Sequence, residues 1–190
     1  MENKSFRFLP ATESRWKDFE TLFGSNGACG GCWCMHWLLD TKEWVSGKGE
    51  LNKAKMKKLF ETGPAPGLIA YDNKTPAGWC AFGKRENYKR LESSRSLRPV
   101  DDRKVYSIVC FYIRKDYRKS GLSVKLIEAV IEFAKKKKIK ILEAYPVVAY
   151  SDNMPAAFAW TGFYSAFIKA GFAEIARGSA ARPIMRYYLY

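Results

Sequence analysis

Eight residues, Arg114-Lys115-Asp116-Tyr117-Arg118-Lys119-Ser120-Gly121, carry four cations and end in a glycine just ahead of an amphipathic stretch. This composition suits an anion, and phosphate in particular. The first-turn amides of a helix have no intrahelical partners and carry the positive end of the dipole, so a helix start without side-chain bulk seats a phosphate. Gly121 lets an anion approach the backbone, Ser120 and Ser123 offer hydroxyl donors, and Arg118 and Lys119 bring full charges to phosphate oxygens. The plainer reading of the same residues is an exposed basic turn capped by Ser120.

A second group with chemical potential is Cys29, Cys32, Cys34 and His36, the last being the only histidine. A Cys-x-x-Cys with a third cysteine invites zinc or redox chemistry. Structural zinc sites usually draw ligand pairs from two separated segments, and no second Cys or His pair follows. No strand precedes the motif as a thioredoxin-like site would require. The alternative is an aromatic, sulfur-rich segment over a pocket mouth, in which Trp33, His36 and Trp37 either line an acceptor site or belong to the core.

The elements that must position these residues are legible around the basic loop. Residues 105–113 are β-branched, aromatic or small, with apolar side chains at both parities, the pattern of a strand covered on both faces. After the loop, Leu122, Leu126, Ile127, Val130, Ile131, Phe133 and Ala134 recur at helical spacing while Lys125, Glu128 and Glu132 point away. Residues 139–145 form the next strand, which the intervening helix makes a parallel neighbour. Upstream, 6–9 reads as a short strand and Trp16, Phe19 and Phe23 as a helix capped by Thr12 or Ser14 and stopped at Gly24. Residues 50–62 read as a helix, with Leu51, Ala54, Leu59 and Phe60 as its apolar side, and 67–82 as a hairpin turning at Asp72-Asn73-Lys74. Residues 84–103 form a polar connection with a short helix near 88–91. Downstream, 150–155 is a loop, 156–170 a helix interrupted at Gly162, and 172–177 and 184–189 closing strands.

At 190 residues, 47% hydrophobic and 15% aromatic, the chain has a globular composition with enough apolar mass for a single domain over 1–190. No apolar run reaches bilayer length and the N-terminus lacks a signal-peptide pattern, so no membrane and a cytoplasmic location are expected. The 5 cysteines suit reduced thiols. A net charge of +14 favours anionic partners, but the cations are dispersed except at 114–121 and 135–138, which argues against a nucleic-acid stripe.

Arg118-Lys119-Ser120-Gly121-Leu122-Ser123 resembles the Arg/Gln-x-x-Gly-x-Gly/Ala signature of the GNAT superfamily of acetyl-CoA-dependent N-acetyltransferases, with Ser123 where Gly or Ala is usual. Gly171-Phe172 at the end of the later helix resembles a second landmark of that family, and the hairpin its strands two and three. The resemblance implies an α/β (α+β type) fold: a mixed, mostly antiparallel sheet flanked by helices, with strands 4 and 5 parallel and splayed. It further implies acetyl-CoA as cosubstrate, no metal, and direct transfer of acetyl to a primary amine of a small molecule or peptide in a ternary complex. The state implied is a monomer or homodimer. By the same resemblance Arg118, Lys119, Ser120, Gly121, Leu122 and Ser123 hold the pyrophosphate, while the backbones of Phe111, Tyr112 and Ile113 hold pantetheine or the thioester oxygen. The tyrosine that serves many members as acid falls on Phe167 here, which leaves Tyr164, one helical turn earlier, or Cys110 as candidates. Glu143 or His36 would relay a proton through water. The competing readings are a basic nucleic-acid-binding protein and a Cys/His metal or redox module.

Overall fold

The computed structural model describes residues 5–149, 154 and 158–190. Its strands are β1 (Phe6–Pro10), β2 (Gly67–Asp72), β3 (Thr75–Lys84), β4 (Tyr106–Ile113), β5 (Ile141–Ala144), β6 (Ala173–Ser179) and β7 (Arg182–Tyr188). They form one sheet in the order β1-β2-β3-β4-β5-β7-β6. β4 and β5 pair in parallel while the other neighbours are antiparallel, so the sheet is mixed and mostly antiparallel, as expected. The parallel pair is short: Tyr106, Ser107 and Ile108 face Leu142, Glu143 and Ala144, and beyond them β4 continues without β5.

β4 is also bulged. Ala81 faces Cys110 and Phe82 faces Ile108, which leaves Val109 as an extra residue. The bulge turns both Val109 and Cys110 to the same face, where they join the apolar cluster under α1 (Trp16–Phe23) and α3 (Glu50–Thr62), while Ile108 and Phe111 join the opposite cluster. That second cluster lies under α5 (Leu122–Lys136), whose Leu122, Leu126, Ile127, Val130, Ile131 and Ala134 are buried as their spacing predicts. Removing one such side chain, as in Leu126→Ala, costs about 2–5 kcal/mol.

Several expectations need correction. α1 begins at Trp16 after a 3-10 turn, and neither Thr12 nor Ser14 caps it; their hydroxyls meet each other at 3.1 Å. A helix not anticipated, α2 (Thr41–Ser46), starts on a capping box in which Asp40 accepts from the Glu43 amide. In α3 the buried residues are Asn52, Met56 and Phe60, whereas Leu51 is exposed. The polar connection carries α4 (Lys89–Glu92) and is tied to the interior: the buried Arg85 guanidinium donates to the carbonyls of Leu91 at 3.2 Å and Leu97 at 2.6 Å. The expected loop at 150–155 and the first part of the 156–170 helix fall largely outside the described residues. From 158 to 163 the chain turns, and only α6 (Tyr164–Lys169) is α-helical, because Gly162 sits at φ +83° with the Phe111 and Phe167 rings against it.

Candidate active site

The basic loop is anchored at both ends. The Arg114 amide donates to Ala77 of β3 at 3.1 Å, and the buried Tyr117 donates its hydroxyl to Asp72 at 3.0 Å. Ser120 does not cap α5; its hydroxyl donates to the Tyr117 carbonyl at 2.6 Å. Lys119 at φ +60° and Gly121 at φ +78° are left-handed, a backbone form that gathers neighbouring amides into anion-binding concavities elsewhere. The Gly121 carbonyl receives the Val124 and Lys125 amides, while the amides of residues 120–123 donate to no group among the described residues. A Cβ on Gly121 would meet nothing within 4 Å, so the space beside its α-carbon is open. Arg114 is committed to Asp116 at 3.0 Å, and Arg118 donates through Nε to the Ile113 carbonyl at 3.0 Å, which leaves its two terminal nitrogens available.

Beyond the bulge, the outer edge of β4 is not bare. The Val109 carbonyl accepts from the Trp37 indole at 3.1 Å, and the Phe111 amide donates to the Trp160 carbonyl at 2.6 Å. Alternate residues of a strand turn their backbone groups to opposite sides, so Phe111 and Ile113 share this edge and Tyr112 is turned to β3. The chain at 162–164 bonds Val147, just past β5, so the segment carrying Trp160 bridges the gap where β4 and β5 diverge.

Trp160 belongs to an aromatic group built around His36, whose ring lies 5.0 Å from Trp37, 4.9 Å from Trp44 and 4.8 Å from Trp160, each edge-on. Arg90 Nη1 is 3.0 Å from His36 Nδ1, which as the acceptor leaves the ring proton on Nε2. Burial, and then the charges of Arg90 and Arg182, lower the His36 pKa to about 4, so the ring is neutral near pH 7. Trp37, bonded to the Val109 carbonyl, and His36, packed on it, therefore lie at the diverging edge. Trp33 does not; it is buried against Trp16 and Phe23, which stack on it. Trp44, Arg90, Trp160 and Arg182 were missed, since they come from four separate segments and no local motif joins them.

Cys110 is half-buried beside the bulge. A hydrogen bond to Cys34 and then burial push its thiol well up, so it stays protonated. Cys34 also accepts from the Trp79 indole at 3.2 Å. Among the described residues no three His, Cys, Asp or Glu side chains converge as a metal site. Tyr164 opens α6 with its ring beside Arg177 of β6, and its hydroxyl helps hold the Glu174 carboxyl down, while Phe167 is fully buried. Glu143 cannot act as a relay base: it is 1% exposed and accepts from Arg85 at 3.2 Å, Tyr145 at 2.6 Å and Arg186 at 2.7 Å. A groove of about 830 Å³ between α5 and the β1–β2 edge contains none of these residues.

A bulged fourth strand that parts from its parallel neighbour, followed by a basic glycine turn opening a helix, is the arrangement that the resemblance to acetyl-CoA-dependent acyltransferases implies. The profile of the acetyltransferase (GNAT) family matches residues 33–165, and the chain belongs to that family. No curated protein matches the sequence. Among solved structures, the chain is similar to the PaiA N-acetyltransferase of Thermoplasma acidophilum in complex with coenzyme A: TM-score 0.54, 13% identity, covering 97% of this chain and 99% of that one. It is also similar to a GNAT acetyltransferase of Streptococcus pneumoniae, with TM-score 0.56, 17% identity, and 98% and 100% of the two chains covered. YncA of Salmonella typhimurium with acetyl-CoA gives 0.52 at 15% identity over 97% and 94%. At such identities these likenesses speak to the fold.

Proposed function

We propose that residues 1–190 form one catalytic domain that moves an acetyl group from acetyl-CoA to a primary amine of a small molecule or peptide, by direct transfer in a ternary complex. The observation that carries this reading is the run of amides at 120–123 with no partner among the described residues, at a helix start left open beside the Gly121 α-carbon, with Arg118 and Lys119 next to them in sequence. These groups suit a pyrophosphate: the amides of Gly121, Leu122 and Ser123 donate in line and the cations neutralise from the side. Phe111 and Ile113 offer the β4 edge to the pantetheine arm. Because the Trp160 carbonyl holds the Phe111 amide, cosubstrate binding exchanges one acceptor there for another.

Bound acetyl-CoA supplies the activated acyl group and the thiolate leaving group. The chain supplies alignment, which alone is worth several kcal/mol when reactants are held in line. Of the two candidate acids, Cys110 is the one beside the diverging edge, and its thiol is held in the protonated form; Tyr164 faces Glu174 and Arg177 instead. The free amine comes from the solution equilibrium. The charge of +14 remains the sole support for a nucleic-acid-binding alternative.

Gly121→Asp places a carboxylate among the outward amides, and its left-handed φ strains any side chain there. Saturable acetyl-CoA binding by calorimetry, with thiol release across an amine panel, is expected for the parent chain. A loss of affinity of about 100-fold or more is expected for the variant, the scale of losing two charge-assisted hydrogen bonds. Equal affinity in the two proteins would refute the phosphate seat.

A further inference from the structure

Two half-buried guanidiniums without a counter-ion lie around His36: Arg90 touches the ring, and Arg182 bonds Thr161, the residue after the Trp160 that packs on it. Arg90 donates to His36 Nδ1 at 3.0 Å and lies 5.5 Å from the Trp44 ring centroid. Arg182, at the start of β7, donates to the Thr161 hydroxyl at 2.8 Å, and burial alone pulls its pKa down. Neither makes an ion pair among the described residues. Glu43 of α2 is committed to Lys89 at 3.1 Å and to the cap of its own helix. A guanidinium taken partly out of water without a carboxylate is destabilised, and an anion brought beside it relieves that cost.

The position of the pair matters as much as its charge. Trp37 and Trp160, which pack on His36, are the two residues bonded to Val109 and Phe111 at the diverging edge of β4. A group received by Arg90 and Arg182 would therefore lie next to the place where the proposed thioester would be presented.

We infer that the acceptor amine also carries an oxyanion, a carboxylate or a phosphate, which Arg90 and Arg182 receive beside His36; this rests on the transferase reading above. Polycationic amines are disfavoured twice over. Their second charge meets two unpaired guanidiniums, and the aromatic face best suited to a cation, that of Trp44, already carries Lys48 at 4.5 Å and Arg90.

The test is thiol release from acetyl-CoA with matched amines: an α-amino acid against its methyl ester, an aminoalkyl phosphate against the aminoalkanol, and a linear polyamine. The oxyanion-bearing member of at least one pair is expected to have kcat/KM about tenfold or more above its partner and above the polyamine, the scale of a hydrogen bond to a charged group. Which pair responds distinguishes carboxylate from phosphate. Arg90→Gln and Arg182→Gln should each collapse that preference ratio about tenfold. Equal or better use of neutral amines or polyamine by the parent chain, or a ratio unmoved in both variants, would overturn the inference.

A second readout needs no turnover. Titrating the same amines into the protein without acetyl-CoA, and following the imidazole resonance of its single histidine, should show the pKa of His36 rising from about 4 as the oxyanion offsets Arg90 and Arg182. If no amine releases thiol while His36 still answers the oxyanion, the transferase reading fails and the anion site is supported. If transfer proceeds and His36 is silent to every oxyanion, the inference fails alone.

Discussion

At the start of β4, Arg85 and Arg186 close on Glu143 and Asp101; past the bulge, Arg90, Arg182, Arg118 and Lys119 meet no carboxylate among the described residues. The first group pairs each guanidinium with a carboxylate. Tyr145 donates to Glu143 at 2.6 Å and accepts from Arg85 at 2.6 Å, with Ser107 at 2.8 Å, and Asp101 takes both terminal nitrogens of Arg186 at 2.6 and 3.0 Å. Arg186 beside it holds the Asp101 carboxyl down at about 2, and burial beside Glu143 keeps the Tyr145 phenol protonated. One end of the strand spends its cations on the fold, and at the other they have no carboxylate partner among the described residues.

The contrast predicts unequal costs of substitution. Glu143→Gln leaves two buried guanidiniums facing an amide, and removing one partner of a buried ion pair costs about 3–5 kcal/mol. Against a total stability of about 5–15 kcal/mol, a urea midpoint should fall steeply. A midpoint within experimental error of the parent would mean that the network is not closed in the way described.

His36 gives the next largest effect. In the unfolded chain it titrates near 6.5, whereas in the fold its pKa is lowered to about 4. Between those values the unfolded state binds more protons, so stability is lost as pH falls from about 6.5 to 4. His36→Gln should flatten that limb by about 1–2 kcal/mol, allowing for partial solvent screening. Urea midpoints at pH 7 and 4.5 for both proteins measure it, and parallel losses in the two would mean that His36 is not the group behind that limb.

The smallest effect has a counter-intuitive sign. Trp160→Ala removes the ring contacts that keep the Trp160 carbonyl on the Phe111 amide, so acetyl-CoA should bind about threefold more tightly, the scale of one exchanged backbone hydrogen bond. Weaker binding would show that Trp160 supports the bound state rather than competing with it.

What could be read in the sequence was local. The run of β4, loop and α5 was legible because burial on both faces, a glycine at a helix start and a 3.6-residue stripe each leave a mark within a few positions. So was the parallel pairing of β4 with β5, which the intervening helix enforces. The bulge at Val109 left no such mark, since valine is an ordinary strand residue and only the register against Ala81 and Phe82 reveals the extra position. Trp33 and His36 stand three residues apart in one motif yet go to core and edge respectively, because a turn with left-handed Trp33 and Cys34 separates them. Arg90 reaches His36, and Arg182 reaches Thr161 beside Trp160, only through tertiary packing, and α2 was hidden by its brevity although its Asp40–Glu43 capping box was present.

The central claim, that the amides opening α5 receive the pyrophosphate of acetyl-CoA, is tested most directly by a titration followed through backbone amide resonances. The account predicts saturating shifts that are largest at Gly121, Leu122 and Ser123, with Phe111 responding as its acceptor is exchanged. Saturation that leaves those three amides unmoved, or no saturation at all, would contradict it.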